Sequence, residues 1–282
     1  MKLLKFITLG VFTASLLISC QKEPIDDLET SDAFSETFPK GNNASIASED
    51  LLKLKDLDFD TEQEIIKTED GYVVEGDMLI PFEHLEPETL GPEEEGIEKQ
   101  HRHIQIVRCS RARNIRVKNN LRGVDQPVRN AIADWNRVNG SFLKFTLVKS
   151  GRADITISFK RNDSGVATHP RNGRPGPTIK IDPGKWRNFI KRIRSNAPFG
   201  RAFRYVIRHE LGHCIGFRHS NRSSERGRVR IPGVPSQDVS SIMNQAFSQS
   251  HVLNLSTMNL SNNDKKALRK LYGGSARSNI CF

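Results

Sequence analysis

The stretch His209-Glu210-Leu211-Gly212-His213-Cys214-Ile215-Gly216-Phe217-Arg218-His219 decides how the rest of this 282-residue chain is read. Residues four apart on an α-helix share a face, so His209 and His213 can aim neutral imidazoles at one ion. Glu210 follows at about 100° round the helix, near enough to reach a water at that ion without ligating it. Gly216 is a natural helix stop, because glycine takes the left-handed conformation without steric cost. The chain can then turn and bring His219 back as a third ligand. Three histidines leave a fourth position open, which is the arrangement of a catalytic rather than a structural Zn2+. Five fixed positions, three of them histidine, arise by chance on the order of once in 10⁵ chains of ordinary composition. With three imidazoles available no thiol ligand is needed, so Cys214 is expected to be buried, in packing or in a disulfide. His84, His101, His103, His169 and His251 read as surface or loop histidines rather than ligands.

HELGHCIGFRH matches the extended pattern HExxHxxGxxH and resembles the site of the metzincin metallopeptidases. Ser241-Ile242-Met243-Asn244, 24 residues beyond His219 at its methionine, is similar to the Met-turn of that family. GHCIGFRH, IPGVPSQDVSSIMN and LSNNDKKALRKLYG, with GYVVEGD upstream, look like one group within it, the dual-action HEIGH metallopeptidases. The resemblance spans roughly residues 70–273 and implies an α+β, metzincin-like peptidase domain. Such a domain has a mixed twisted sheet, an active-site helix, a Met-turn and a C-terminal helix. It implies Zn2+ on His209, His213 and His219, Glu210 as catalytic base, and Gly216 and Met243 as structural supports. Its substrate is a protein or peptide, and the strand Ala153–Phe159 is expected to form the upper rim of the cleft. Two departures stand out. Where astacin-type relatives place a tyrosine two residues after the methionine, this chain has Gln245. A cysteine latch of the matrixin kind is excluded, because residues 21–100 contain no cysteine.

The N-terminus carries a second signal. Met1–Lys5 supplies two positive charges, Phe6–Ile18 is largely apolar, and Leu17-Ile18-Ser19-Cys20 follows. The order charged, apolar, small describes a secretory signal, and the apolar run is too short for an ordinary membrane span. LISC resembles the lipobox of bacterial lipoproteins, which implies lipidation of Cys20 and a membrane-anchored protein on the outer membrane or cell surface. Of the other cysteines, Cys109, Cys214 and Cys281, an exported chain can pair two.

Charge divides the remainder. Residues 21–100 hold 24 acidic against 6 basic side chains, and residues 101–282 hold 35 basic against 9 acidic. Halves this unequal either bind each other or face different partners. Three segments follow: a signal peptide over 1–20, an acidic tether and prosegment over 21–100, and a basic catalytic domain over 101–282. A carboxylate such as Glu94 or Asp77 is a candidate to occupy the zinc or a basic rim; the alternative is a solvated spacer. The basic half suits anionic polymers, but no nucleic-acid fold or aromatic RNA-binding signature accompanies it.

Within the acidic part, residues 48–69 suggest one or two short helices, and Tyr72–Ile80 suggests two strand pieces about a Gly-Asp turn. Ile104–Val107, Ile115–Val117, Phe142–Val148, Ala153–Phe159 and Thr178–Ile181 read as strands. Residues 125–138 read as a helix capped by Asp125, residues 161–178 as a loop, and Arg201–Cys214 as a helix. Ser261–Asp264 caps a last helix through Leu271. The sequence thus specifies a secreted, membrane-anchored zinc metalloendopeptidase. The alternative is a catalytically weak or inactive zinc-binding surface protein that binds anionic polymers.

Overall fold

The computed structural model describes residues 43–57, 59–86, 106–193, 198–220, 231–235, 237–245 and 259–274. The strands are β1 (Ile66–Lys67), β2 (Gly71–Val74), β3 (Met78–Pro81), β4 (Ile115–Asn119), β5 (Phe145–Val148), β6 (Ile155–Phe159), β7 (Val166–Thr168) and β8 (Thr178–Ile181). The helices are α1 (Ser48–Asp56), α2 (Cys109–Ala112), α3 (Asp125–Asn136), α4 (Pro183–Ile193), α5 (Phe199–Cys214) and α6 (Asn262–Tyr272).

All eight strands join one mixed sheet in the order β1-β2-β3-β7-β8-β6-β4-β5, and with the helices they make an α+β fold. Strands β5, β4, β6 and β8 run parallel, and β7 turns antiparallel to β8. Alternation sets their inner face: Ile115 and Val117 on β4, with Ile155 and Ile157 on β6, are buried. On α3, Val128, Ala131, Ile132 and Trp135 recur at three- and four-residue steps and bury one stripe. That stripe meets α5, which is buried almost throughout from Ala202 to Cys214. The Trp135 indole N–H donates to the Arg208 carbonyl at 3.1 Å, and its ring packs 5.5 Å from Phe217. Arg208 is itself buried on α5 and keeps its charge against Asp134, 3.2 Å away. The helix carrying the histidines is therefore held from its far side before any metal is considered.

The acidic segment is folded over its described residues. Leu54, Phe59, Ile65, Tyr72, Val74, Met78 and Ile80 form a small core of their own, while β1–β3 extend the sheet. Strand β3 pairs parallel with β7, Met78 opposite Ala167 and Leu79 opposite Thr168.

Several expectations need correction. Ala153–Phe159 is not the rim: β6 lies inside the sheet between β8 and β4, and the strand next to the β2–β3 hairpin that carries Asp77 is β7, itself flanked by β3 and β8. Strand β7 arises within the expected loop 161–178, where three residues among glycines and prolines carry no readable period. Ile106 and Val107 form no strand. Asp125 does not cap α3 but sits in its first turn, accepting from Asn119 Nδ2 at 2.9 Å, and Val124 precedes it without a side-chain cap. Helix α4 was not expected, since basic residues interrupt its buried Trp186, Phe189 and Ile190. At α6 the expectation holds: Ser261 Oγ accepts from Asp264 N at 2.9 Å, and Asp264 Oδ2 accepts from Ser261 N at 2.8 Å.

Cys109 is disulfide-bonded and Cys214 is a buried free thiol. Cys20, Cys281, Glu94 and the apolar leader lie outside the described residues. Among the described residues no helix is long and apolar enough to cross a membrane.

Candidate metal centre

Helix α5 ends as its sequence requires. Gly216 has φ 99°, and Phe217 N closes back on the Gly212 carbonyl at 3.0 Å. This tight end turns the chain by two residues and lets His219 face His209 and His213. The three rings pack with centroids 4.6, 5.4 and 4.9 Å apart.

Each of the two helical histidines is oriented by a backbone carbonyl. His209 Nδ1 lies 2.6 Å from the Ile242 carbonyl, and His213 Nδ1 lies 2.8 Å from the Phe217 carbonyl. A carbonyl only accepts, so both Nδ1 atoms carry the proton and both Nε2 lone pairs point into the site. Burial, opposed by Asp77, pulls His213 down to about 4, which keeps it neutral and able to ligate.

The fourth donor is Asp77, from the turn between β2 and β3. Its carboxylate oxygens lie 3.1 Å from His209 Nε2, 3.3 Å from His213 Nε2 and 3.1 Å from His219 Nε2. One ligand atom from each of the four residues falls within 4.8 Å of every other. Burial alone would raise the Asp77 carboxyl, but His219 and His213 beside it hold it well below the usual range. Three convergent imidazole lone pairs plus one carboxylate make a compact N/O donor set that fits Zn2+.

Glu210 stands beside this set, 2% exposed, and its Oε2 has no hydrogen-bond partner among the described residues. Burial, then the Asp77 charge, pushes its carboxyl well above the usual range. Gly165, just before β7, leaves room for it: a Cβ there would collide with Glu210 Oε1.

Met243 lies under the site. It is 1% exposed, and its sulfur fills the space beside Gly212 where a Cβ would sit. Asp264 fixes that turn by accepting from Ser241 Oγ at 2.5 Å and Ile242 N at 3.1 Å. The α6 capping residue thereby positions the carbonyl that orients His209, a link no local sequence pattern displays.

Sequence reasoning also missed what holds Asp77 in place. Glu75, 1% exposed with φ 52°, forms a buried ion pair with Arg218, the residue before His219. Gln245, where a relative would carry tyrosine, donates to the Glu75 carbonyl at 2.8 Å. His169, read as a surface or loop histidine rather than a ligand, lies in the loop after β7 and contributes no atom to the donor set, but it is buried there, its pKa lowered to about 3 by desolvation.

A family model for the dual-action HEIGH metallo-peptidases matches residues 72–272, well over half of the chain. The chain belongs to that family. As a HEIGH metallo-peptidase it is a zinc-dependent peptide-bond hydrolase, and its match begins at Tyr72, so it takes in the Asp77 hairpin. No curated protein matches it in sequence. Among solved structures, one of myroilysin is similar at 14% identity and TM-score 0.39, covering 57% of this chain and 80% of that one. The medaka (Oryzias latipes) hatching enzyme, a zinc-protease, is similar at 17% identity and TM-score 0.33, covering 56% and 88%. Likeness at that level is distant and bears on neither substrate nor mechanism.

Proposed function

We propose that this HEIGH metallo-peptidase is a latent endopeptidase in which Asp77 closes its own active site. The observation that carries this reading is the Asp77 carboxylate within 3.3 Å of all three histidine Nε2 atoms. His209, His213 and His219 would hold the zinc, and Asp77 would take the position a substrate needs. When bound, the ion supplies Lewis acidity, polarising the scissile carbonyl and acidifying water. Glu210, whose Oε2 has no hydrogen-bond partner among the described residues, accepts the proton of the attacking water as carboxylate and passes it to the leaving amine. Gly216 and Met243 act as supports, holding His219 and the Ile242 carbonyl in register.

The substrate strand pairs with β7. In the intact chain β3 occupies that edge, with Ala167 N donating to the Asp77 carbonyl at 2.9 Å. Release of the β2–β3 hairpin thus opens the metal and the edge together. Cleaving the chain near residue 100 is expected to raise hydrolysis of an unfolded protein substrate. An unchanged rate, at low and at high salt, would remove the latch. Zinc retained with no hydrolysis after cleavage would favour the inactive, polymer-binding alternative.

The leader Met1–Cys20 supports export and lipid attachment at Cys20, anchoring the enzyme to a membrane at the outer membrane or cell surface. Labelled palmitate should enter the wild-type chain and be absent from Cys20→Ser; equal labelling would end the lipoprotein reading.

A further inference from the structure

Part of the positive charge of the catalytic domain gathers in one cavity. An open cavity of about 600 Å³ is lined by Arg111, Arg116, Arg152, Arg171, Arg174 and His84. The one carboxylate in its wall, Asp154, is already committed to Arg116, accepting from its backbone N at 2.8 Å and pairing with Nε at 3.3 Å. Among the described residues no carboxylate reaches ion-pair distance of Arg111, Arg152 or Arg174. These like charges hold one another in an unfavourable field: desolvation, then Arg174 and Arg108, lower the Arg111 pKa. An anion with several charges would relieve that field.

The path of the acidic segment shows what kind of anion reaches the cavity. From Asp77 at the histidines the chain runs along β7 as β3, and six to nine residues on it meets Arg171. The Arg171 guanidinium donates to the Glu83 carbonyl at 2.9 Å and to the Glu86 carbonyl. These bonds hold backbone, so they accept any sequence. A polypeptide lying along β7 in the place of β3 is therefore delivered to the arginine cavity. The chain returns to the same turn at Arg108, whose N donates to the Gly173 carbonyl at 2.9 Å. Between these two tethers the sequence carries Glu93-Glu94-Glu95.

We infer that the arginine cavity is a recognition site for an acidic peptide, taking clustered carboxylates of a polypeptide that lies along β7. Two sources share this chemistry. In the intact chain the carboxylates are those of Glu93–Glu95; in the processed enzyme they belong to substrate, an arm that rests on the peptidase reading.

The test is binding of a fluorescent peptide with the sequence of residues 88–99 to the full chain, read by anisotropy at low salt. The controls are the same peptide with every Glu replaced by Gln, and the variant Arg111→Gln/Arg152→Gln/Arg174→Gln with its thermal midpoint checked. The acidic peptide should bind at least about tenfold tighter than its Gln version, and the triple arginine variant should lose that preference. If the chain's own run fills the site, Glu93→Gln/Glu94→Gln/Glu95→Gln should strengthen binding about tenfold. If substrate alone fills it, wild type and that variant should bind alike. Binding is read without turnover, so failure of the peptidase reading leaves this result standing. Equal affinity for both peptides, or an unchanged preference in a folded arginine variant, would overturn the inference.

Discussion

Asp77 Oδ1 lies 3.1 Å from His219 Nε2, although 142 residues separate them in the chain. A carboxylate brought so far to a three-histidine site competes with whatever else would occupy the fourth position. Asp77→Ala should raise hydrolysis by the intact chain about 5–150-fold, the usual range of coupling between two sites. Initial rates on a quenched fluorescent peptide, before any processing, provide the check; no change would leave Asp77 a bystander.

Glu75 and Arg218 form the second fastening. Glu75 is buried at a left-handed φ of 52°, and the Arg218 guanidinium also packs 4.9 Å from the Phe59 ring centroid. Removing either charge alone strands the other, which typically destabilises by about 3–5 kcal/mol. Hydrogen exchange over β2–β3 should accelerate in Glu75→Met and in Arg218→Met. The double variant should recover part of the loss, as a double-mutant cycle would register.

Glu210→Gln keeps the shape and removes the base. Hydrolysis by the processed enzyme should fall about 10²–10⁴-fold with the metal still bound. Parallel metal content and turnover separate loss of base from loss of zinc.

Gly212→Ala tests the packing beneath the metal. The new methyl would overlap Met243 Sδ, with the Trp135 ring 3.4 Å away. Overpacking of this kind should destabilise by about 1–3 kcal/mol, visible as a lowered thermal midpoint.

Asp70 gives the latch a pH dependence. It pairs with Lys180 on β8 and with Lys160 at 3.6 Å, and the Lys180 hydrogen bond holds its carboxyl below the usual carboxylate range. A carboxyl whose folded pKa is depressed stabilises above its unfolded value and loses that contribution as pH falls through the folded one. Exchange protection of β2–β3 should therefore weaken below about pH 4. Lys180→Met should show less of that acid dependence.

The metal site was legible because its determinants are local. His209, His213 and Gly216 are set by one helix and its end, and Met243 follows in a short motif. Asp77 emerged only as one of two candidates, since its partners lie more than 130 residues downstream and helical spacing says nothing about them. Strand β7 was hidden because three residues between glycines show no alternation. Asp264 was readable as a cap, while its second role under Ile242 depends on packing between α6 and the turn. Local chemistry is written in local spacing; the latch and its supports arise from tertiary pairing.

The most direct test is zinc per chain, measured by mass spectrometry on processed enzyme before chelation, after chelation and after zinc return, with peptide hydrolysis followed on the same samples. One zinc per chain, with hydrolysis lost on chelation and regained on reloading, is the expected result. Hydrolysis that continues once the metal is gone would contradict the account.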